Sequence, residues 1–113
     1  MTAKEEPVVR VHIWARKRDD MEAEAFAEHW LNVHAPIARD GFAHLIGYEI
    51  ALVTRSPEGQ DRPYDGVAEL TWADRDGFKA DMASAANERA TEDLRSFTAA
   101  FGLLFVGETQ TVK

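Results

Sequence analysis

Four stretches of alternating apolar and polar residues, two regions of helical spacing between them, and an even composition throughout predict an α+β domain ordered β-α-β-β-α-β over residues 1–113. A chain of 113 residues can bury one core but not two. Its 45% hydrophobic and 29% charged content is that of a globular protein rather than a disordered or fibrous one.

The first strand is read at Val8 to Arg16, with Val9, Val11, Ile13 and Ala15 on one face and Arg10, His12, Trp14 and Arg16 on the other. Asp19 and Glu22 have capping-box spacing, so the first helix is expected from there to about Ala35. Pro36 lacks an amide hydrogen and should kink or stop that helix just after His34, and Gly41 marks the exit. Ile46 to Val53 reads as the second strand, with Ile46, Tyr48, Ile50 and Leu52 sharing a face. A turn-rich loop from Arg55 to Pro63 leads to a third strand, Tyr64 to Trp72. Helical spacing resumes at Asp74, with Phe78 and Met82 one turn apart, and again from about Glu88 to Ala100. Gly102 is expected to end that helix and Leu103 to Val112 to form the last strand.

This order is that of a ferredoxin-like protomer with a four-stranded antiparallel sheet, in which helices cover one sheet face. Bulky side chains on both faces of the strands indicate that the second face is also covered, so a homodimer with facing sheets is expected.

Composition excludes several classes of function. Without cysteine there is no disulfide, thiolate nucleophile or thiolate metal site. A formal charge of -7 disfavours nucleic acid and anionic membranes as partners. The one basic cluster, Arg16-Lys17-Arg18, is followed by two aspartates and reads as a solvated turn. No apolar run approaches the ~20 residues of a membrane span, and Lys4, Glu5 and Glu6 occupy the place of a signal-peptide core, so a cytoplasmic location is expected.

Chemistry concentrates on the first helix. At about 100° per residue, Phe26, Trp30, Val33 and Ile37 make an apolar stripe flanked by His34 on one side and His29 on the other. His34 also continues the Phe26–Trp30 row at i, i+4, which turns it toward whatever the stripe covers. A half-buried imidazole there can exchange a proton with a ligand, or it can simply be a hydrogen-bonded boundary residue. His29 and His34 are five apart, which separates them on the wheel, so no metal site is expected; Glu28, His29 and Glu92 are the nearest candidates.

The run Phe26-Ala-Glu-His29-Trp30-Leu-Asn-Val-His34-Ala35-Pro36, with Tyr64-Asp65-Gly66-Val67-Ala68-Glu69-Leu70 later, resembles the EthD-like branch of the dimeric α/β-barrel superfamily over nearly the whole chain. The resemblance implies a ferredoxin-like protomer paired into a dimeric α/β barrel, with a pocket between each sheet and its helices. It points to His34 as the pocket acid/base and, less directly, to His29. The chain departs from the group's frequent Pro-Gly turn, having Gly41-Phe42-Ala43-His44-Leu45-Ile46-Gly47.

With imidazole, phenol, indole and carboxylate groups available, the leading reading is proton transfer without a cofactor. In it His34 moves a proton beside a carbonyl, and Tyr48 or His12 steadies the enolate oxygen. Trp14, Trp30, Trp72, Phe26 and Phe97 supply flat walls for an aromatic, polyketide-like or lactone substrate. Cyclase, dehydratase and isomerase chemistries all fit. The alternatives are a cofactor-free oxygenase that forms quinones and a binding protein for a small hydrophobic molecule. Packing roles stay open for Trp30 and Phe97, a backbone tether for Tyr48, an interface position for His12, and an exposed loop for His44.

Overall fold

Alternating strand residues place apolar side chains under the helices in the computed structural model, which describes residues 8–113; Lys4, Glu5 and Glu6 lie outside the described residues. Strands β1 (Val9–Lys17), β2 (Leu45–Leu52), β3 (Gly66–Trp72) and β4 (Thr98–Val106) form one sheet in the order β2-β3-β1-β4, with every neighbouring pair antiparallel. With helical segments between β1 and β2 and between β3 and β4, this is the ferredoxin-like α+β fold. Val11, Ala15, Ala68, Leu70 and Trp72 point from the sheet into a core completed by Phe26, Trp30, Ala38, Ala90, Leu94 and Phe97. His12, Trp14, Val67 and Glu69 alternate with those strand residues and occupy the other face.

The first helical region departs from the sequence reading in two ways. Helix α1 (Ala23–His29) begins after Glu22, whose side chain makes no capping bond. Asp19 lies instead in a turn closed by Met21 N–H to the Arg18 carbonyl at 3.1 Å, so the expected capping box does not form. The helix also runs through Pro36: a π-turn over Trp30–His34 joins α1 to α2 (Ala35–Gly41), with Ala35 N–H reaching back to the Trp30 carbonyl. The wider turn makes room for a proline ring that would clash with a carbonyl in a regular helix.

That turn also re-aims the side chains beyond it. A π-turn amounts to one extra residue, so later positions fall back by roughly 100°. Val33, expected on the apolar stripe, is 48% exposed, whereas His34 and Ala38 continue the buried row of Phe26 and Trp30.

On β2, the register slips by one residue between Leu45 and Gly47, and Ile46 is left 63% exposed instead of facing the core. Leu45 takes the inward place and packs with Tyr48, Ile50 and Leu52. Helices α3 (Arg75–Met82) and α4 (Ala85–Phe97) are capped by Asp74 and Ser84, each accepting a backbone N–H three residues on. The last boundary was misplaced by the sequence pattern: α4 stops at Phe97 and β4 starts at Thr98, so Phe101 is a strand residue. Gly102 lies mid-strand opposite Trp14, whose indole fills the space a side chain there would need.

Gly66 has a similar role in the core. A Cβ at Gly66 would come within 2.7 Å of the Trp30 ring and 3.3 Å of Leu52. Gly66→Ala is therefore expected to destabilise the fold by about 1–3 kcal/mol in urea unfolding, the usual cost of overpacking. An unchanged midpoint would show that Trp30 can move aside.

Candidate active site

His34 is buried, and its ring is held on two sides. Its Nδ1 donates to Asp93 Oδ2 at 2.8 Å, and its face lies 5.2 Å from the Phe97 ring centroid. Asp93 comes from α4, and it also meets His29 Nε2 at 3.1 Å through both carboxylate oxygens. One carboxylate thus serves two imidazoles. The sequence pattern set His29 and His34 on opposite flanks; the π-turn between them brings residues five apart into line, and Phe97 stacks on His29 as well, at 4.5 Å.

An ionised Asp93 only accepts hydrogen bonds, so it fixes the neutral His34 proton on Nδ1 and leaves the Nε2 lone pair free. That nitrogen keeps contact with open space, because no buried side-chain polar atom lacks a partner among the described residues and Nε2 has none. The open space is a cavity of about 110 Å³ between sheet and helices, lined by His34, Tyr48, Trp72, Val11, Leu70 and Met82 among others. Apolar cavities of about 150 Å³ accept a benzene ring, so a ring-sized ligand would have to use this smaller space together with its open mouth. Phe101 and the 47% exposed Leu103 stand at that mouth.

Burial holds the His34 pKa below the ordinary imidazole value, with the Asp93 hydrogen bond and charge pulling the other way. The ring is therefore neutral and ready to accept a proton at neutral pH. Burial raises the Tyr48 pKa, so its hydroxyl stays protonated, and the Trp30 indole N–H donates to its oxygen at 3.3 Å. Since Trp30 occupies an acceptor site, the Tyr48 proton remains available for donation. Asn87 and Thr91 on α4 add polar groups to the wall. Asn87 Nδ2 is tied to the Met82 carbonyl at 3.0 Å, which leaves its amide oxygen as the acceptor on offer.

Of the side chains singled out from sequence, His34, Tyr48 and Trp72 line the cavity. His29 sits behind Asp93; Phe26, Trp30 and Phe97 are packed in the core behind the wall, Trp30 and Phe97 supporting Tyr48 and His34. His12 and Trp14 are not in this site. Both occupy even positions of β1 and so lie on the opposite sheet face, where His12 Nε2 pairs with Glu69 at 2.7 Å. Trp72 has a second attachment: its indole N–H donates to buried Asp81 at 2.8 Å, and Asp81 also accepts from His44 N–H. His44 itself is exposed.

Asp93 is the residue that sequence reading missed. A signal existed, because Ala86, Ala90, Asp93 and Phe97 follow a 4-3-4 spacing and a carboxylate in such an apolar row needs a buried partner. Among the described residues, no group of three or more His, Asp or Glu side chains is arranged to hold a metal ion.

A ferredoxin-like protomer with a helix-roofed pocket and a carboxylate-anchored histidine is the class these features define. The model of the EthD domain matches residues 18–100, and the chain belongs to that family. Comparison with curated proteins gives no match. Among solved structures, an EthD family protein from Bacillus halodurans is similar with a TM-score of 0.75 at 20% identity, covering 90% of this chain and 99% of that one. A dimeric ferredoxin-like protein of unknown function from Thermobifida fusca follows at 0.71 and 14%, covering 91% and 92%. SnoaB, a cofactor-independent oxygenase from Streptomyces nogalater, shares the fold at 0.58 and 18%, covering 95% and 97%.

The lowered His34 pKa carries a stability consequence. The unfolded chain binds this proton from about pH 6.5 downward, before the folded ring does. Stability is therefore undiminished by His34 above about pH 6.5, and it declines as pH falls below that value until the folded ring also protonates. Urea unfolding of the protein and of His34→Gln between about pH 8 and pH 5 should show the steeper acid loss in the unmodified chain. Parallel curves would mean that His34 is not held neutral by burial.

Proposed function

We propose that this EthD-family chain is a small enzyme that needs no cofactor and uses His34 for proton transfer on an aromatic, polyketide-like or lactone substrate. The observation that supports it is the Asp93–His34 pair at 2.8 Å, with the ring facing an apolar cavity that also contains Tyr48. In this reading His34 Nε2 takes a proton from a carbon next to a carbonyl. The Tyr48 hydroxyl donates to the oxygen on which charge develops, and apolar walls strengthen both interactions by excluding water. His34 then returns the proton to a different carbon or to a departing hydroxyl, giving isomerisation, ring closure or dehydration with no change in oxidation state. Asp93 stabilises the imidazolium that forms in between.

The reading includes one domain over residues 1–113, acting in the cytoplasm as a homodimer. The sheet face bearing Trp14, Val67 and the 57% exposed Leu104 is uncovered in a single protomer, and a second copy is its natural cover. Light scattering at micromolar concentration should give twice the chain mass. A monomer would leave that face without an explanation.

Proton abstraction can be detected before the product is known. A panel of hydroxylated aromatic ketones, polyketide-like diketones and unsaturated lactones, incubated with the protein in deuterium oxide, should include members that exchange a carbon-bound proton or change skeleton. His34→Ala should lower that rate by roughly 100-fold or more while changing affinity modestly. Binding without any exchange or turnover would reduce the protein to a carrier of its ligand.

The shared fold with SnoaB supports a second reading, cofactor-free oxygenation of an electron-rich phenol. There His34 would deprotonate the phenol and dissolved oxygen would be the oxidant. Stoichiometric oxygen uptake on such a substrate would establish it and displace the proton-transfer reading.

A further inference from the structure

The cavity beside His34 is at most ring-sized, but its walls continue beyond the mouth. Val11 and Ile13 on β1, with Phe101 and Leu103 on β4, line the cavity; Val9 and Phe105, each one step further on the same face, line a separate groove of about 590 Å³. Phe78 of α3 belongs to both and forms the partition between them. The groove has an apolar floor, including Val8 and the 66% exposed Phe105, and Phe78 stacks edge-on against Phe105 at 5.5 Å.

Three cations surround this floor. Arg75 and Lys79 are one turn apart on α3, on either side of Phe78, and Arg10, which alternates with Val9 and Val11 near the start of β1, lines the edge of the groove. None of the three pairs with a carboxylate among the described residues, although Arg18, Arg39 and Arg62 each do. In a chain with a formal charge of -7, cations beside an apolar groove that make no ion pair among the described residues attract an anion. Asp74 and Asp76 flank Arg75 in sequence; Asp74 Oδ1 accepts from Gly77 N–H, Asp76 is exposed, and neither makes an ion pair with the three cations.

We propose that the groove is the second compartment of the substrate site and binds the carboxylate end of an elongated, apolar-bodied acid whose reactive ring sits beside His34. This inference rests on the cavity reading above and specifies the substrate class: an aryl or cyclic carboxylic acid with a spacer long enough to pass Phe78. The carboxylate lies against Arg75 and Lys79, the spacer lies on Phe105 and Phe78, and the ring enters between Leu103 and Met82.

A homologous series of ω-phenylalkanoates and their primary amides tests this without knowledge of the natural substrate. Carbon-13 methyl labelling of methionine reads the outcome, because Met82 lines the cavity and its methyl shift reports ring entry. One chain length should bind as the acid about 10-fold more tightly than as the amide, the upper scale of two exposed ion pairs. The double variant R75Q/K79Q, altered only at exposed positions, should remove that preference while leaving amide affinity and the Met82 shift intact. Equal binding of acid and amide would overturn the anion compartment and leave the ring cavity standing. Acid binding that never shifts Met82 would show a groove unconnected to the cavity, which also overturns the proposal. A series in which neither acid nor amide shifts Met82 would overturn both this inference and the cavity reading beneath it.

Discussion

A single carboxylate, Asp93, joins the two halves of the helical layer. It hydrogen-bonds to His34 at 2.8 Å and to His29 at 3.1 Å, so α4 is tied to both ends of the π-turn through polar contacts set on the ring of Phe97. Taking a carboxylate largely out of water is costly unless its oxygens are occupied, and here both are. The same contact chooses the tautomer of His34, so the feature that holds the helices together also determines which nitrogen faces the cavity. Structure and chemistry share one bond.

The sheet beneath this layer is asymmetric in use. Its helix side supplies cavity walls from β1, β3 and β4, and Tyr48 from β2 reaches the same space because the Ile46 bulge resets the alternation before it. Without that extra residue, Leu45 and Tyr48 would be on opposite faces. The other side carries a polar row instead: His12 is in register with Glu69, which is in register with Glu49. Charged groups on a face that a partner is expected to cover make it distinct in character from the apolar cavity.

Polarity is also sorted within the helix-side space. Close to His34 the walls are aromatic and aliphatic, with titratable groups at His34 and Tyr48; beyond Phe78, cationic side chains border an apolar floor. The Asp65 side chain shows the contrasting, structural use of charge: it accepts from Lys17 N–H at 2.8 Å and from Arg62, closing the loop before β3.

Residue pattern alone determined the α+β class, the order of the elements, the alternating faces of β1, and the placement of His34 on an inward-facing row, because period-2 and period-3.6 spacings are local properties of the chain. Asp19 as a cap, Ile46 on the Tyr48 face, Val33 on the stripe and a helix running to Ala100 all failed for one reason. Each rested on extending a regular period across a place where the structure inserts or ends a turn: the Arg18–Met21 turn, the β2 bulge, the π-turn, and the abrupt Phe97–Thr98 change. Such irregularities are stabilised by contacts remote in sequence, so a local pattern does not carry them. Only the tertiary structure could bring Asp93 to His34 across 59 residues, place His29 beside the same carboxylate, and put His12 and Trp14 on the far side of the sheet from the cavity.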